Sequence, residues 1–91
     1  MNTEELVAII KAAARDDRND ETMTKHTKRW SRGYSTRACE TLLYCHDRPI
    51  EGAISDIEFC VDYSPLHWQP VLDALKAEMQ ALTALKDKGS E

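Results

Sequence analysis

The sequence predicts a small all-α bundle of four to five helices. Three observations carry that prediction. Apolar residues recur at three- and four-residue intervals through most of the chain, the spacing that lines up side chains on one face of a helix. Glycine and proline number three each, too few for the many tight turns of an all-β fold. Cap and restart signals stand ahead of the periodic stretches: Thr3, Ser35 or Thr36, Pro49 and Ser64-Pro65. At 91 residues, 42% hydrophobic and 31% charged, residues 1–91 read as a single globular domain with a modest core.

The first helix is expected over 3–17. Thr3 serves as N-cap, and Glu4 and Glu5 suit the positive end of the helix dipole. Leu6, Ile9, Ile10 and Ala13 fall on one face, with Val7 and Ala14 at its edge. Ala12 to Ala14 favour helix, and the run from Asp16 to Asp20 ends it. Residues 21–34 admit two readings. Met23 and Trp30, seven apart, fit a short helix that stops at Gly33; Thr22, Thr24 and Thr27 fit an ordered loop.

A helix over 35–46 follows, with Ala38, Leu42 and Cys45 as its apolar stripe, flanked by Cys39 and Leu43. Asp47-Arg48-Pro49 breaks and restarts the chain. Over 49–62, Ile50, Ala53, Ile54, Ile57, Cys60 and Val61 span about 120° of a helical wheel. Phe59 alone is misplaced. The alternative is a short strand near 57–63, which would make the fold α+β. The last helix starts either at Ser64-Pro65 or at Pro70. It carries a core stripe of Leu72, Leu75, Met79 and Leu82, opposite a face of Ala74, Ala77, Ala81 and Ala84. Gly89 is read as its end, and 89–91 as a short disordered tail. The expected core is Leu6, Ile9, Ile10, Leu42, Ile54, Ile57, Val61, Leu72, Leu75, Met79 and Leu82, with Trp68 capping it at the start of the last helix or, alternatively, serving as a surface anchor.

Charge is the functional signal. The net charge is −4, yet residues 22–39 hold Lys25, Lys28, Arg29, Arg32 and Arg37 and no carboxylate. Residues 40–62 hold Glu40, Asp47, Glu51, Asp56, Glu58 and Asp62 against Arg48 alone. The two blocks can simply neutralise each other across the fold. The basic block, however, also contains His26, Trp30 and Tyr34, and interleaved basic and aromatic side chains suit an interface.

Other chemistries fit poorly. Cys39, Cys45, His46, Cys60 and His67 do not have the paired short spacing of a zinc site, so no metal and no cofactor is expected. Cys45 and His46 are adjacent, which on a helix points a thiol and its would-be base about 100° apart. No nucleophile elbow, phosphate loop or dinucleotide fingerprint occurs, and the chain is not expected to be an enzyme. No apolar run approaches the roughly 20 residues of a membrane span. The acidic N-terminus and the odd number of cysteines fit a cytoplasmic chain with reduced thiols.

In size, acidity and lack of a catalytic motif the chain is similar to the small accessory proteins of phages and other mobile elements, which often bind and block a host machine. The expected function is protein–protein binding by a regulatory or inhibitory protein. Its surface would be Lys25, Lys28, Arg29, Trp30, Arg32, Tyr34 and Arg37, with a secondary acidic face of Glu51, Glu58 and Asp62. The alternative is nucleic-acid binding through the stretch 25–37, against which stands the sequence pI of about 5.3. A homo-oligomer through the Ala74, Ala77, Ala81 and Ala84 face is the remaining partner option.

Overall fold

A computed structural model describes residues 2–89 of the chain, with side chains through Leu85. It consists of four helices: α1 (Thr3–Asn19), α2 (Lys25–Tyr44), α3 (Pro49–Tyr63) and α4 (Pro65–Gly89). No strand occurs among the described residues, so the 57–63 alternative is overturned in favour of helix. Each helix packs on two others, α2 on α1 and α3, and α4 on α1 and α3, while α1 and α3, like α2 and α4, face each other only across the core. That ring of neighbours is a four-helix bundle.

The N-cap of α1 is Asn2 rather than Thr3. Asn2 Oδ1 accepts from the Glu5 amide at 2.8 Å, and Glu5 Oε1 accepts from the Asn2 amide at 3.3 Å. This reciprocal box needs an acid three residues after the cap, which Asn2 has and Thr3 does not. After α1, Asp20 Oδ1 accepts from both the amide and the hydroxyl of Thr22, at 2.8 and 2.6 Å, and turns the chain. Thr24 then caps α2 by accepting from the Thr27 amide at 3.1 Å.

The largest departure from expectation is that α2 runs unbroken through Gly33 and Ser35. A helical glycine costs about 1 kcal/mol against alanine, too little to stop a helix held by packing on both sides. Ser35 is a mid-helix residue whose hydroxyl donates to the Arg32 carbonyl at 3.1 Å. Ser31, Ser35 and Ala38 are all buried, and their small side chains let α3 come close. The Cys60 thiol accordingly reaches the Ser31 carbonyl at 3.5 Å, and a Cβ added to Gly52 would lie 2.8 Å from Thr41 Cγ2.

α2 ends at Tyr44, so Cys45 is a cap residue and is exposed, not part of an apolar stripe. Its thiol donates to the Asp47 carbonyl at 3.1 Å. Arg48 adopts a left-handed backbone (φ 52°) just before Pro49 opens α3. α4 begins at Pro65 and continues through Pro70, joined to α3 by Ser64 alone. The amide that Pro70 lacks would have bonded the Leu66 carbonyl, so α4 loses one hydrogen bond there and nonetheless continues.

The core holds Leu6, Val7, Ile10, Leu42, Ile54, Ile57, Trp68, Val71, Leu72 and Leu75 with small residues between them; Ile9, Val61 and Met79 pack at its edge. Leu82, expected inside, is 49% exposed. The 25-residue α4 is longer than its neighbours, and the molecule measures 51 × 23 × 19 Å, so the leucine stripe outruns the helices that could cover it. Ala74 is half-buried, while Ala77, Ala81 and Ala84 are exposed. Gly89 is the last residue of α4; the rest of the expected tail, 90–91, lies outside the described residues.

Candidate binding surfaces on the second helix

The seven residues expected to bind a partner all lie on α2, but they do not form one patch. With one stripe of α2 buried, the others are divided between two faces. Trp30, Gly33, Tyr34 and Arg37 face one way, Lys25, Lys28 and Arg32 another, and Arg29 borders both.

The first face is aromatic. His26, Trp30 and Tyr34 follow one another at four-residue steps, and Phe59 and Tyr63 do the same on α3. Trp30 stacks on Tyr34 (centroids 6.0 Å, planes 22° apart) and on Tyr63 (6.1 Å, 12°). Tyr34 stacks on Phe59 at 4.7 Å. The Trp30 indole donates to His26 Nε2 at 3.0 Å. Five rings thus form one array along the α2–α3 seam. Trp30, Phe59 and Tyr63 remain 43, 47 and 39% exposed. Arg29, Trp30, Gly33, Tyr34 and Arg37, all on α2, line a shallow groove of ≈ 390 Å³.

The charges around this array differ in sign from side to side. Arg29 and Arg37 border it on α2, whereas Glu58 and Asp62 are exposed on α3 beside Phe59 and Tyr63. Arg37 Nε lies 3.8 Å from Asp56 Oδ1. Burial raises the Asp56 carboxyl above its ordinary value, and the nearby Arg37 offsets this only in part. Glu51, the third member of the expected acidic face, sits a helix turn from Arg48, at 3.7 Å.

The second face is a cleft of ≈ 340 Å³ between the end of α1 and the start of α2. Lys25, Lys28, Arg29 and Arg32 line it together with Arg18 from α1. The Lys28 ammonium donates to the Arg18 carbonyl at 2.9 Å, answering a free carbonyl at the helix end. Ala14, Asp17 and Trp68 complete the lining. Trp68 is fully buried, and its indole donates to Asp17 Oδ2 at 3.0 Å. Asp17 Oδ1 is buried with no hydrogen-bond partner among the described residues.

The sequence reading missed Phe59 and Tyr63 on the first face and Asp17 and Arg18 on the second. Phe59 had left a signal, as the one apolar residue its helix could not bury. Asp17 and Arg18 left none, because only the fold brings the end of α1 to α2.

The thiols stand apart from both faces. Cys39 and Cys60 are buried and Cys45 is exposed; all three are free. Burial, with help from Asp17 and Asp56, pushes the Cys60 thiol up to about 12, and burial also raises Cys39. Neither ionises readily as a nucleophile. No group of three or more His, Cys, Asp or Glu side chains able to hold a metal occurs among the described residues. Nor is any described helix long and apolar enough to cross a membrane.

Compared with known proteins, the chain matches no family model, and no curated protein or solved structure is detectably similar to it.

Proposed function

We propose that this is a non-catalytic regulatory protein that acts by protein–protein contact through the aromatic face of α2 and α3. The observation that carries the reading is the five-ring array. Aromatic side chains bury large areas at small entropic cost, and together with arginine they dominate interface energetics. Of the six Trp, Tyr and Phe rings only Trp68 is fully buried and Tyr34 packs at the core's edge, while Trp30, Phe59 and Tyr63 stay exposed within the array.

Two features favour a protein partner over nucleic acid. The rings stack on one another, so their faces are partly used and do not stand apart to take bases between them. Glu58 and Asp62 border the same array and would repel a phosphate backbone that Arg29 and Arg37 attract. A partner with acidic groups toward α2 and basic groups toward α3 meets both sides. Binding of this kind can block a partner's own surface, which is how an inhibitor or accessory factor of this size would act.

A photo-crosslinking residue placed at Phe59, compared with one at Glu4 on α1, tests the reading in a lysate of the source cell. Adducts specific to position 59, resistant to nuclease and lost with Trp30→Ala, are expected. Nuclease-sensitive adducts would replace the protein partner by nucleic acid, and adducts equal to those at Glu4 would remove the aromatic face from the account.

A further inference from the structure

We infer that the cleft between α1 and α2 is a binding site for a nucleotide-class ligand, sharing only Arg29 with the aromatic face. Its phosphates would meet Lys25, Lys28, Arg29 and Arg32, and an N–H of its base would meet Asp17 Oδ1.

The cations are the first support. Five line one cleft, and among the described residues none of them forms an ion pair. Capping of α1 accounts for Lys28 alone. The rest share the cleft with Asp17 as its one carboxylate, an excess of positive charge that a bound polyanion would balance. Arginine and lysine together are the usual phosphate-binding side chains. The cleft's ≈ 340 Å³ falls within the roughly 300–1,000 Å³ of small-molecule sites. Ala14 and the aliphatic stems of the cations give it carbon walls, suited to a flat body attached to the anion.

Asp17 is the second, independent support. It is 2% exposed, one oxygen is held by Trp68, and the other has no donor. A carboxylate beside an anion site selects. It disfavours a bare polyphosphate and favours a phosphate-bearing ligand that also brings an N–H. Adenine and guanine bring such donors. Oδ1 is covered, so the ligand's N–H reaches it only when side chains around the cleft move.

The test is a titration of the full chain with ATP and with tripolyphosphate, read by the indole N–H resonances of Trp68 and Trp30. ATP should shift the Trp68 signal, leave Trp30 in place, and bind at least about tenfold more tightly than tripolyphosphate, the worth of one hydrogen bond to a carboxylate. Asp17→Asn keeps an acceptor for Trp68 but offers the cleft an N–H donor and no charge. It should weaken ATP, strengthen tripolyphosphate, and so erase the preference. Lys25→Ala with Arg32→Ala, both exposed positions, should weaken both ligands about tenfold or more, and keeps the proposal testable if Asp17→Asn does not fold. Equal binding of the two ligands to the unaltered chain, no binding at millimolar ATP, or a shift at Trp30 instead of Trp68 would overturn the assignment. A 5′-phosphorylated oligoadenylate binding more than about tenfold tighter than ATP would overturn it in favour of a nucleic-acid end.

Discussion

The two tryptophans of this chain sit in opposite settings. Trp68 is wholly buried and gives its indole N–H to a buried carboxylate; Trp30 is nearly half exposed and gives its N–H to a histidine four residues back on the same helix. Trp68 ties α4 to α1. Trp30 ties rings to rings on the surface. One ring of this type builds the bundle and the other is left over from building it, which is why the surface around Trp30 reads as a site. Trp68→Ala is expected to break the fold, at about 3–5 kcal/mol for a large core aromatic, with Asp17 losing its donor as well. Trp30→Ala should cost about 1 kcal/mol or less, since it removes stacking at an exposed place and gains helix propensity. Urea unfolding of both variants checks the pair. A Trp30 loss as large as that of Trp68 would make the array a structural element and not an interface.

The comparison also shows which parts of the molecule could be read from sequence. Helix spacing located α1, α3 and the core half of α4, while Trp68 could be read either as capping the core or as a surface anchor until the fold buried it. Hydroxyl groups hid the α2 seam, because Ser31 and Ser35 look polar although their small size is what the packing uses. Leu82 misled, since periodicity does not say where a facing helix stops. The stretch Lys25 to Arg37 stood out in the sequence as a block of basic and aromatic residues. Its division into two faces did not, because the register of α2 became clear only once the helix was known to pass Gly33.

Two glycines repeat the contrast between building and surface on a smaller scale. Gly52 faces Thr41, and a methyl group there would lie 2.8 Å from Cγ2; a methyl group on Gly33 would meet nothing within 4 Å. Gly52→Ala should therefore destabilise by about 1 kcal/mol, overpacking exceeding the gain in helix propensity, and Thr41→Ser should restore the loss by deleting the clashing methyl. Gly33→Ala should instead stabilise by up to about 1 kcal/mol. If the groove at Gly33 receives a partner's backbone, that same change lowers affinity while raising the melting temperature. A stabilised variant with unchanged crosslinking from position 59 would place the partner elsewhere on the array.

The smallest effect concerns the end of the bundle that Trp68 holds. Asp20, at the α1–α2 turn, is bound by the Thr22 hydroxyl, by His67 of α4 at 2.7 Å, and by the Thr22 amide; these hold its carboxyl down from the ordinary 3.8 to about 2. Between those values the unfolded chain takes up a proton that the folded chain does not. The contribution is therefore complete above about pH 4 and is lost as pH falls through about 2. Asp20→Asn removes the titrating group, so its stability should fall less steeply over that range than that of the unaltered chain. His67→Ala should flatten the slope only in part, because the Thr22 hydroxyl is the larger cause of the shift. Denaturant midpoints followed from pH 5 to pH 2 give both slopes. Identical slopes in all three proteins would mean that the turn opens before it titrates, and would leave Trp68 and Asp17 as the fastening between α4 and α1.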